Sequence, residues 1–101
     1  MKIVVIQKHS YNLDGIKKEV AKLDPKRADE ILFTSNPDTV ITATKDGKPV
    51  LVISGQVLGS SYYGTDLACD VKRTNKRVLF YIYSLTPETN KFVDGVIPKG
   101  S

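Results

Sequence analysis

The sequence predicts an α/β domain, a parallel five-stranded sheet with helices on both faces. Three observations predict it. Short apolar runs recur at residues 3–6, 31–34, 49–54, 78–83 and 96–97. The segments between them carry apolar residues at helical spacing or helix-start signals. Strands that alternate with helices in this way build βα units around a parallel sheet. At 101 residues the chain makes one domain.

The elements follow in order. Residues 3–6 are continuously apolar, as in a strand buried on both faces. Asn12 is placed to cap a helix in which Leu13, Ile16, Val20 and Leu23 recur on one side. Asp24-Pro25 closes or kinks that helix, because Pro cannot continue the hydrogen-bond ladder. Ile31-Leu32-Phe33-Thr34 is the second strand. Asn36-Pro37 starts the next helix with a side-chain cap and Pro at its first position, burying Val40, Ile41 and Ala43. Lys45-Asp46-Gly47 stops it.

The third strand ends at Ser54 and opens onto a Gly- and Ser-rich loop. Thr65 or Asp66 caps a third helix that buries Leu67, Ala68 and Val71. Lys72, Arg73, Lys76 and Arg77 crowd its end, where cations complement the helix dipole. Residues 78–83 form the fourth strand. Thr86-Pro87-Glu88 has the pattern of a helix start, with room for about two turns before Asp94-Gly95. Val96-Ile97 is the fifth strand.

Composition narrows the functions. No apolar run is long enough to span a membrane, and residues 1–6 are too short for a signal-peptide core. One cysteine excludes an internal disulfide and fits a reducing, cytoplasmic setting. A net charge of +4 is mildly basic and diffuse. The four-residue basic group comes with no nucleic-acid-binding motif, so it reads as a solvated helix end and nucleic acid is not an expected partner. His9 has no Cys or acidic cluster around it in the sequence, and Cys69 reads as an inert structural thiol.

Three local runs carry a resemblance: residues 49–59, the strand ending at Ser84, and Asp94-Gly95-Val96-Ile97-Pro98-Lys99. In that order the chain resembles the receiver domain of two-component response regulators, over nearly its whole length. The resemblance implies a flavodoxin-like three-layer sandwich of strand order 2-1-3-4-5, with a ligand crevice over the carboxyl ends of the strands. It places Ser54 at the phosphoacceptor aspartate position, Ser84 at the switch Ser/Thr and Lys99 at the phosphoryl-pairing lysine. Gln7 and Lys8 stand where the family has the acidic pair that holds Mg²⁺. Mg²⁺ needs carboxylate oxygens, and an amide and an ammonium supply none. A serine hydroxyl is a weak nucleophile without a base. The family's coupling aromatic is replaced by Val96 or Ile97, and Gly100 stands in place of its proline.

Two further departures concern shape. The fourth helix is short, and the family's fifth helix has no counterpart before Ser101. A parallel sheet left bare would expose an apolar patch. The face is then covered by a continuation of the chain, by a second copy or another protein, or by rearrangement of the remaining segments.

The resemblance therefore implies a degenerate, pseudo-receiver domain with no catalytic residue, metal or cofactor. Its expected role is phosphorylation-independent protein–protein interaction in signalling, with a protein partner or a homodimer. The alternatives are a binder of a small phosphate-containing ligand at the crevice and a DNA-associated regulator. Lys8, Ser54, Ser84 and Lys99 would meet as an anion pocket, unless Lys8 turns outward and Lys99 bonds loop carbonyls. Tyr62 and Tyr63 would anchor a partner, unless they fold back over the sheet end. Tyr81 and Tyr83 read as core or helix–sheet packing.

Overall fold

A computed structural model of the chain describes residues 2–24, 26 and 30–99. The strands are β1 (Lys2–Ile6), β2 (Ile31–Thr34), β3 (Val50–Ser54), β4 (Val78–Ser84) and β5 (Gly95–Pro98). The described helices are α1 (Ser10–Leu23), α2 (Pro37–Thr44) and α3 (Gly64–Thr74). All strand pairs are parallel, in the flavodoxin-like order β2-β1-β3-β4-β5. Among the described residues no helix is long and apolar enough to cross a membrane.

Side chains alternate across a strand, so the register sorts them by face. Val4, Val52 and Phe80 are in register on one face, as are Ile6, Ser54 and Ile82, and all six are fully buried. Val40 of α2 and Leu67, Ala68 and Val71 of α3 complete that core. Val5 and Ile53 face the other way, toward Ile16 and Val20 of α1.

Each helix end has a local cause. Asn36 Oδ1 accepts from Asp38 N at 2.9 Å with Pro37 at the first turn, as the sequence predicts. Gly47 ends the turn after α2 with φ +75, a conformation that costs glycine little. Helix α1 starts earlier than the Asn12 cap implies. Its flanking residue is His9, and the Asn12 N–H is already spent on the His9 carbonyl at 3.1 Å, inside the first turn. The Asp24 N–H closes α1 on the Val20 carbonyl, while Pro25, Gly100 and Ser101 lie outside the described residues. Helix α3 starts at Gly64, one residue before the expected caps. Asp66 caps it from within, its carboxylate accepting from Tyr63 N at 2.9 Å.

The fourth helix expected after Thr86-Pro87-Glu88 does not form; no helix occurs between Ser84 and Gly95. Side chains take the backbone donors a helix would use. Glu88 N donates to Gln56 Oε1 at 2.7 Å, and Phe92 N donates to Asn90 Oδ1 at 2.9 Å. Such bonds compete with the helical ladder. Asp94 then anchors the segment, accepting from Phe80 N at 2.8 Å and from Lys72 Nζ at 2.7 Å. Phe92 and Val93 pack on the core face that a helix would have covered.

Candidate functional site

Two cavities lie where the fold leaves the sheet uncovered. The first is a crevice of about 400 Å³ over the carboxyl ends of β1, β3 and β4. Gln7 and Lys8 enter it directly after β1, and Gln56 directly after β3. Ser84 and Lys99 enter at the ends of β4 and β5, and His9 from the start of α1. Lys99 is held beside Ser84 because its N–H donates to the Ser84 carbonyl at 2.7 Å, and its ammonium sits 5.8 Å from the Tyr83 ring centre. No Asp or Glu is among the residues that line this crevice.

The crevice unites Lys8, Ser84 and Lys99, but Ser54 is not part of its wall. Ser54 is fully buried on the α2–α3 face, and its hydroxyl donates to the Gly55 carbonyl at 2.9 Å. The start of α3 presses onto it there. A Cβ on Gly64 would collide with the Gly55 carbonyl and Ile82 and come within 3.0 Å of Ser54 Oγ. A small residue at position 54 is thus a packing requirement. This donor set does not fit Mg²⁺: a sealed hydroxyl, an amide and an ammonium offer no carboxylate oxygen.

Sequence reasoning missed Gln56 and the state of Gln7. Gln7 is 6% exposed, and its side chain lies over Gly55, where a Cβ would meet Gln7 Oε1 at 2.9 Å. The Nε2 atoms of Gln7 and Gln56 are both buried without a hydrogen-bond partner. An unpaired buried donor costs about 1–3 kcal/mol. The only sequence signal was an amide at the carboxyl end of each of two apolar strands.

The second cavity is a groove of about 620 Å³ beside α1; Ile3, Val5 and Ile31 of β1 and β2 line it together with the β3–β5 half of the sheet. Ile16 and Val20 form one wall; Leu51, Ile53, Tyr83 and Ile97 supply the floor. Lys99 is the one charged residue lining it among the described residues. Tyr81 and Tyr83, expected as packed core residues, are half-buried, because no described helix lies over them.

The two loop tyrosines part ways. Tyr62 packs against the core, and its hydroxyl donates to Asp70 Oδ2 at 2.5 Å. Burial, then that bond to a carboxylate, pushes its phenol well above the usual value. Tyr63 stays exposed and bridges Val57. Lys72 is drawn out of the basic group by Asp94. Comparisons with protein-family models, curated proteins and solved structures find no match to this chain.

Proposed function

We propose that this protein is a non-enzymatic, phosphorylation-independent interaction domain of pseudo-receiver type, acting in the cytoplasm. It takes an amphipathic helix of a partner protein into the groove beside α1. The observation that carries this reading is the half-bare sheet. Leu79 and Ile97, on the same sheet as a fully buried core, are 41% and 39% exposed. Apolar surface of this kind marks an interaction site.

The dimensions suit a helix. From β3 to β5 is two strand spacings, about 10 Å, the diameter of one helix. The chemistry suits an apolar stripe with an acidic end, since Lys99 is the one charge in the lining among the described residues. A second copy is the weaker occupant, because α1, α2 and α3 already turn their apolar sides to their own sheet.

The test is an NMR titration with a designed amphipathic peptide of about 14 residues, the length of α1, which the groove runs beside. Its one face carries leucines and one end carries glutamates. Saturable shifts centred on Leu51, Ile53, Leu79 and Ile97, lost in Ile97→Asp, are expected. Light scattering that shows a stable dimer burying the same residues would replace the partner helix with a second copy.

A further inference from the structure

The crevice carries a separate inference. We propose that it binds a small phosphate monoester, with the phosphate drawn by Lys8 and Lys99 and hydrogen-bonded by the Gln7 and Gln56 carboxamides.

The unpaired amides are the decisive feature. Gln7 is more than nine-tenths buried, lines the crevice and leaves Nε2 without an acceptor. Gln56 is fixed in orientation, because its Oε1 accepts from Glu88 N at 2.7 Å, so its free atom is the donor. Both donors lack a partner and are sealed in the unliganded protein, which is expensive, and they become favourable when an oxyanion enters and the carboxamides turn to meet it. No hydrogen bond to another described residue holds the Gln7 side chain, so its carboxamide can turn toward a ligand.

Charge sets the sign of the ligand. Lys8 and Lys99 line the crevice, and no carboxylate does. Charge-assisted bonds to an oxyanion are stronger than neutral ones. Size sets its class. A cavity of about 400 Å³ is far larger than inorganic phosphate and falls within the range of small-molecule sites. Val57, Tyr83 and Leu85 give the rest of the ligand an apolar and aromatic wall. Ser54 plays no part, and no bond is made or broken.

Lys99 and Tyr83 line both cavities, so the two readings are told apart by the Gln7 and Gln56 signals, which belong to the crevice alone. The test follows the side-chain NH₂ signals of Gln7 and Gln56 by ¹H–¹⁵N NMR during titration with ribose 5-phosphate, inorganic phosphate and acetate. Ribose 5-phosphate is expected to shift both NH₂ pairs saturably, more tightly than inorganic phosphate, with acetate inert. Lys8→Gln combined with Lys99→Gln, both surface changes that leave the core intact, is expected to weaken binding at least about tenfold. Gln56→Leu is expected to weaken it with the Gln7 shift retained. Absence of any saturable shift at millimolar ligand overturns the proposal. So does an equal response to acetate, or binding unchanged in the double lysine variant.

Discussion

The two faces of one sheet differ more than any two other regions of the molecule. Phe80 and Leu79 are neighbours in β4, yet Phe80 is fully buried under α3 and the 85–94 segment, while Leu79 is 41% exposed. On the α1 side the cover fades strand by strand. Val5 in β1 is 2% exposed, Leu51 and Ile53 in β3 are half-buried, and Ile97 in β5 is 39% exposed. Core packing is thus concentrated on one face, while the other leaves apolar side chains partly exposed.

Changes on the covered face should be the most damaging. Ser54→Asp puts an uncompensated carboxylate into the packed contact with Gly64, and we expect loss of roughly 3–5 kcal/mol or more, close to the whole stability of a small domain. Urea unfolding measures this, and a folded variant of near-native stability would show that the Ser54–Gly64 contact is not tight. Phe80→Ala should cost about 3–5 kcal/mol, against at most about 1 for Leu79→Ala one residue away. Equal costs would mean that the groove is filled in solution.

A buried polar anchor comes next. Asn75 donates to the Thr44 and Lys48 carbonyls at 3.0 and 2.8 Å and accepts from Arg77 N at 2.9 Å. Asn75→Ala leaves these groups unpaired, so about 2–3 kcal/mol should be lost in the same urea experiment.

The smallest effect concerns Asp94. Burial would raise its carboxyl, but the Lys72 ammonium and the Phe80 N–H outweigh that and hold it below the usual range. A depressed folded-state value gives stability that is present above the unfolded value and lost as pH falls through the folded one. Asp94→Asn should therefore be less stable at pH 7 by at most about 1 kcal/mol, given its solvent contact. The difference should begin to shrink as pH falls below about 4 and vanish only below the lowered folded-state value. A difference that persists in acid would assign the effect to shape rather than charge.

Most of the fold was legible because its signals are local. The strands are dense apolar runs, and Asn36-Pro37 and the stripe of Leu67, Ala68 and Val71 need no distant information to be read. The failures arise where distant groups intervene. Thr86-Pro87-Glu88 has a helix-start pattern, but Gln56, some thirty residues earlier, takes the Glu88 N–H, and Asn90 takes the Phe92 N–H. Ser54 reads as a crevice residue by its place at a strand end, yet side-chain parity and Gly64 turn it into the core. The burial of Asn75 and the unpaired amides of Gln7 and Gln56 depend on which loops meet, which no local pattern encodes.

The outer strand β5 also limits how the molecule can associate. It is four residues long and closes on Pro98, which has no N–H to offer. A neighbouring chain that tried to extend the ladder beyond β5 would find a short template with a missing donor. Sheet growth is disfavoured at a border where Val96 and Ile97 leave apolar surface exposed. That border stays in contact with solvent without offering a neighbouring strand the full row of donors that stacking into fibrils needs.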